Sequence, residues 1–133
     1  MTTIHLISLI SLLLMLTCSA IGKAIMDTLR FGDRFRNLGL WWNPNESWKC
    51  KWKNGDYTQG EAFLGSSTIF VSLTDGWHFF QHFFLLPLFL IPIAYSQCYP
   101  LINWSLWMVL DFIMMYAYFT GIFQIVYWLF NKK

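Results

Sequence analysis

Charge is what this sequence has least of. Only 12% of its 133 residues are Asp, Glu, Lys or Arg, roughly half the share of a soluble domain. The net charge is only +2, and no basic stripe interleaved with aromatics stands out beyond 48–53, so nothing points to a nucleic-acid partner. There is no Gly-rich phosphate loop, no Gly-x-Ser-x-Gly elbow and no His-Glu-x-x-His motif. Those absences disfavour a soluble-type nucleotide enzyme or hydrolase. Cysteine is scarce and odd in number: Cys18, Cys50 and Cys98, with no Cys-x-x-C pair to hold zinc. The topology expected below puts the three too far apart for disulfide geometry. No Lys or Arg precedes the first apolar run and no clear small-x-small cleavage site follows it. The run therefore reads as an uncleaved helix rather than a signal peptide. Internal repeats and low-complexity tracts are missing too.

What is present is apolar and aromatic. Hydrophobic residues make up 56% of the chain and aromatics 20%, with eight Trp and thirteen Phe, at a mean hydropathy of +0.45. A helix needs roughly 20 apolar residues to cross a bilayer. Three runs supply them, and the spans are expected at about 4–23, 66–95 and 101–130. Ser66, Ser67 and Thr68 offer caps for the start of the second. Pro87 and Pro92 are expected to kink it. The fold class is accordingly all-α: an integral membrane protein of one domain, with three transmembrane helices and an aromatic-rich surface loop between the first and second.

Basic residues set the expected orientation. Arg30, Arg34, Arg36, Lys49, Lys51 and Lys53 follow the first span, and Lys132 and Lys133 follow the third. The N-terminus and the turn at 96–100 carry no Lys or Arg. The N-terminus and that turn are thus expected outside, with the loop at 32–60 and the C-terminus cytoplasmic, in a plasma or inner membrane. The loop is too aromatic for a disordered linker, with Trp41, Trp42, Trp48, Trp52 and Tyr57. Asn43-Pro44-Asn45 and Asn54-Gly55-Asp56 are turn chemistry. The loop is expected to lie on the membrane surface, with Lys49, Lys51 and Lys53 facing lipid headgroups.

Inside the second run sit Asp75, His78 and His82. Ionisable groups are costly in a bilayer core, so such a cluster is a functional hint. Were the run one helix, His78 and His82 would fall within about 60° of Asp75, and Ser72 and Thr68 would join the same stripe. Antiparallel packing would bring Asp111 of the third helix to the depth of His82. Lys23, Asp27 and Arg30, spaced i, i+4, i+7, sit at the cytoplasmic end of the first helix, where Asp27 has cations on either side to neutralise it.

Two imidazoles four apart, completed by Asp75 and Asp111, form a candidate metal set suited to zinc, iron or manganese. The same groups suit a proton relay or acid–base chemistry on a lipid. Against these stands interhelical glue, worth about 1 kcal/mol or less per polar group. Three functional readings follow. The leading one is a membrane scaffold, sensor or accessory subunit that assembles, with copies of itself or a larger membrane partner, through the Asp–His cluster. The alternatives are an intramembrane metal-dependent enzyme acting on a lipid and an oligomeric proton-coupled path.

Overall fold

The first thirty residues hold no proline, and Leu and Ile dominate them, so nothing interrupts a helix. In the computed structural model, which describes residues 3–98 and 106–132, that stretch is α1, Thr3–Phe31. Two further long helices follow, α2 (Gly76–Cys98) and α3 (Leu106–Asn131). Leu6–Phe31, Gly76–Ser96 and Met108–Asn131 are each long and apolar enough to cross a membrane. Among the described residues there is no strand, only an isolated bridge between Trp52 and Glu61. Of the turn expected at 96–100, residues 96–98 still belong to α2, and 99–100 lie outside the described residues, as does Lys133.

α1 is the post on which both other helices pack, while α2 and α3 approach one another through side chains. Small residues make the α1–α2 crossing close. A Cβ on Gly22 would lie 2.9 Å from the Phe84 nitrogen and 3.1 Å from the Phe83 carbonyl carbon. The Ser19 hydroxyl, fully buried beside it, donates to the Phe84 carbonyl at 2.7 Å. Close backbone approach through small residues is how helices associate where no hydrophobic effect separates them from lipid. α3 is tied to α1 by two polar pairs, one midway along both helices and one at their loop end. Thr17 and Tyr118 share a hydroxyl bond of 2.8 Å, and Asn131 Nδ2 donates to Thr28 Oγ1 at 3.0 Å. Leu12, Leu16 and Tyr95 form the buried apolar centre. An apolar groove of about 340 Å³ opens between α2 and α3 over Leu16, walled by Phe84, Leu88, Phe112 and Phe119.

The second helix starts later than the sequence predicts. Residues 66–74 are turns, including a 3-10 turn at Val71–Leu73, and α2 begins only at Gly76. The physical cause is local. Gly65 takes φ +78°, and the Ser66 hydroxyl donates to the Lys51 carbonyl at 2.7 Å, pulling the chain into the loop. Thr74 is buried and donates to Val71 O at 2.7 Å, which serves a turn and not a helix. Pro87 and Pro92 do lie inside α2.

The loop between α1 and α2 folds back as a chain of 3-10 turns. Its turn chemistry follows the sequence: Asn54 and Gly55 both take positive φ, and the Asn43 side chain accepts from Asn45 N–H at 3.1 Å. Its rings stack onto the helix ends rather than fanning outward. Trp41 meets Trp42 and Phe79, Trp42 meets Phe80, and Phe35 meets Phe130 of α3, with ring centroids 4.7–6.0 Å apart. The Trp41 ring also covers Gly76, where a Cβ would sit 2.9 Å from it. Loop, the end of α1, the start of α2 and the end of α3 therefore form one end of the molecule.

Candidate functional site

At that end Asp75 occupies the N-cap of α2. Four backbone N–H groups of a helix's first turn lack partners, and a carboxylate there satisfies one of them and meets the positive end of the helix dipole. Asp75 Oδ1 accepts the backbone N–H of His78 at 2.8 Å. Its other oxygen, Oδ2, accepts from the same residue's ring Nδ1 at 2.6 Å. The carboxylate is almost wholly enclosed, with 4% of the side chain exposed, whereas His78 keeps 32%. Because a carboxylate accepts, Nδ1 is the donor, and the lone pair of the neutral ring falls on Nε2.

His78 lines an open cleft of about 380 Å³. Trp48 and Trp77 wall it, Pro44 and Ser47 come from the loop, and Arg30 and Lys51 supply two cations. Neither cation is ion-paired among the described residues. The pairs that do form lie elsewhere: Lys23 with Asp27, Arg36 with Asp33, and Lys49 with Glu46 at 3.4 Å. An acid–base pair thus shares a cleft with two cations available to an anion.

The residues singled out from sequence are partly reunited here and partly dispersed. Asp75, His78, Arg30 and Lys51 converge. The four-residue metal set does not. His82 is exposed one turn further along α2, where its Nδ1 lies 2.9 Å from the His78 carbonyl of its own helix. Asp111 accepts from the Tyr95 hydroxyl at 3.2 Å. The discrepancy is one of depth: Asp111 stands opposite Tyr95, thirteen residues along α2 from His82. Among the described residues no three His, Cys, Asp or Glu side chains gather as a metal would require, so nothing supports the zinc, iron or manganese set. Thr68 and Ser72 leave the stripe because their segment is not helical. Lys23 and Asp27 form their expected pair, apart from Arg30, and Lys53 lies on the loop without an ion pair among the described residues.

The sequence reading missed Trp48 and Trp77 as cleft walls. The available signal was adjacency: Trp77 immediately precedes His78, and the rings meet edge to face at 5.1 Å. Cys50 sits near enough to feel Asp75, yet it is no activated nucleophile. Burial pushes its thiol up from the ordinary value, and the Asp75 charge pushes further the same way. Cys18 and Cys50 are both free thiols.

Comparison with family models, with curated proteins and with solved structures returns no match to this chain. Fold and site together define an all-helical protein with three helices of membrane-spanning length and a polar cleft at one end.

Proposed function

We propose that this is an integral membrane protein that binds a phosphate-bearing lipid headgroup in the cleft at its loop end, and that His78, held by Asp75, acts there as a general base. The observation that carries the reading is the Asp75–His78 pair opening into the same cleft as Arg30 and Lys51. The cleft volume is within the range of small-molecule sites, roughly 300–1,000 Å³. Two cations free of protein carboxylates suit a phosphate group. Arg30 ends α1 and His78 lies in the first turn of α2, so the cleft stands where two apolar spans emerge, at headgroup depth. In this mechanism Nε2 takes a proton from a water as its oxygen attacks the headgroup phosphorus; the phosphorus–oxygen bond to the leaving alcohol breaks, and the imidazolium returns the proton to that alcohol. Asp75 fixes the tautomer and stabilises the imidazolium that forms. Apart from Lys23, every Lys and Arg lies in the last turn of α1, in the loop after it or after α3, which supports a cytoplasmic loop and C-terminus in a plasma or inner membrane.

The test is lipid retention and turnover in purified protein. Anionic phospholipids should be retained over phosphatidylcholine in native mass spectra, and the Arg30→Gln/Lys51→Gln variant should lose that preference. The His78→Gln variant should retain the lipid but turn it over about 10²–10⁴-fold more slowly, the usual worth of a positioned base. Equal retention by wild type and the Arg30→Gln/Lys51→Gln variant would sink the reading.

A second reading, assembly as a scaffold, sensor or accessory subunit, has its own support. No residue in the membrane-length window of α3 is fully buried within the monomer. The assembling surface in that reading is α3 and not the Asp–His pair, because Asp75 is enclosed by its own chain. Copies of this chain or a larger membrane partner would then cover α3, and crosslinking through Met114 or Tyr116, both well exposed on α3, should trap a defined oligomer.

A further inference from the structure

Between Glu61 and Asp75 the chain runs for thirteen residues, 62–74, without a charge. The large apolar side chains of this stretch are not buried in the protein. Leu64 is 91% exposed, Ile69 79% and Leu73 59%, with Phe63 and Phe70 close to half exposed. An exposed apolar patch of this kind marks an interaction surface. Its backbone is satisfied from within in part. The Glu61 carboxylate accepts from the N–H groups of Gly65 at 2.8 Å and Ser67 at 3.1 Å, and from the Ser67 hydroxyl. Further along, Thr68 and Phe70 donate to Gly65 O at 3.1 and 2.8 Å, Leu73 to Phe70 O at 2.9 Å, and Thr74 to Val71 O at 3.0 Å. Trp41 Nε1 caps the end by donating to Leu73 O at 3.2 Å.

We propose that residues 62–73 form an interfacial wedge that lies in the lipid surface, with the Leu64 and Ile69 side chains at its tip reaching the headgroup–acyl boundary. Two features choose lipid over a protein partner. The segment runs directly into α2, whose first residue, Gly76, already belongs to a membrane-length span. Its exposed face is apolar and uncharged, which suits the boundary between headgroups and acyl chains, where backbone groups without an internal partner still reach water. The wedge also has a structural consequence for the cleft. The Ser66 hydroxyl is bonded to the carbonyl of Lys51, which lines the cleft, so the wedge fixes how deep that cation sits. The inference rests on the reading that α1, α2 and α3 span a membrane, and it does not depend on catalysis at His78.

The test places an environment-sensitive fluorophore at Leu64→Cys or Ile69→Cys, with Cys18, Cys50 and Cys98 replaced by Ser. The protein is reconstituted in phosphatidylcholine vesicles containing a lipid nitroxide near the top of the acyl chain. Tyr57→Cys, on the outer face of the loop, is the aqueous reference, and Phe89→Cys, midway along α2, is the membrane reference. Probes at Leu64 and Ile69 should be quenched severalfold more than the probe at Tyr57, unchanged when the protein is diluted into excess lipid. Quenching at Phe89 with Leu64 and Ile69 as wet as Tyr57 would overturn the wedge alone. A water-exposed Phe89 would overturn the spanning reading with it. Protection that disappears on dilution would mean that a second copy covers the patch, which also overturns the wedge.

Discussion

Asp75 accepts twice from His78, once from its backbone N–H at 2.8 Å and once from its ring at 2.6 Å. The same carboxylate therefore starts a helix and orients an imidazole. Those two duties separate by substitution.

Asparagine caps a helix about as well as aspartate, and alanine costs about 1 kcal/mol at such a position. Asp75→Asn should accordingly keep the melting temperature in detergent near wild type, while Asp75→Ala lowers it. The amide must spend its oxygen on the backbone N–H, which leaves its NH2 toward Nδ1. That forces Nδ1 to accept and moves the ring hydrogen to Nε2, the wrong tautomer for a base facing the cleft. Turnover of a headgroup should then fall in Asp75→Asn despite intact stability. A stable Asp75→Asn with wild-type turnover would remove the carboxylate from the chemistry.

Gly22 offers a sharp packing test because its neighbours are backbone atoms, which cannot rotate away. A Cβ there would meet the Phe84 nitrogen at 2.9 Å and the Phe80 carbonyl oxygen at 3.2 Å. Gly22→Ala should destabilise by about 1–3 kcal/mol, the ordinary cost of overpacking. Gly121→Ala is the matched control, since nothing lies within 4 Å of its Cβ position. It should be neutral or slightly stabilising, as alanine is the better helix former by up to about 1 kcal/mol. Unfolding in mixed micelles compares the two, and equal effects would show that the α1–α2 crossing is looser than described.

Glu61 makes the segment 62–73 sensitive to acid. Hydrogen bonds from the Ser67 hydroxyl and from the N–H groups of Gly65 and Ser67 hold its carboxyl below the ordinary value of 4.5. A depressed carboxyl stabilises the fold above its unfolded value, and that stabilisation is lost as pH falls through the lower, folded value. Amide exchange at Gly65 and Ser67, corrected for intrinsic rates, should be slow at neutral pH and speed up only in strong acid. Glu61→Gln should exchange faster at neutral pH and show no such acid step. An acid step that persists in Glu61→Gln would assign the effect to another group.

Much of this architecture was legible from residues 1–133 alone, and the failures share a cause. Apolarity reports depth or burial, and it found the three long helices correctly. It does not report backbone conformation. In the run before Asp75, Gly65, Ser66, Ser67, Thr68, Ser72 and Thr74 all have side chains or torsions that compete with a helix, and local hydrogen bonds won. The strongest cap in the run was Asp75, and the helix began there rather than at Ser66. Depth arithmetic placed Asp111 opposite His82, whereas Asp111 meets Tyr95, thirteen residues further along α2. The convergence of Arg30 and Lys51 on His78 was hidden for a different reason. It depends on the path of a loop built from short turns, and no periodicity encodes such a path.

The post-like position of α1 has a consequence for how the chain is made. The ribosome delivers α1 first, and its Ser19, Thr28 and Thr17 hydroxyls face seams whose other halves do not yet exist. Thr17 and Thr28 can bond back to their own helix in the meantime, to Leu13 O and Ala24 O at 2.8 Å each. Gly22 has no such interim partner and leaves a notch until the backbone at Phe83 and Phe84 arrives. Assembly is therefore a matter of waiting: the first helix is made carrying an unfilled recess, and the second helix to be synthesised is the one shaped to close it.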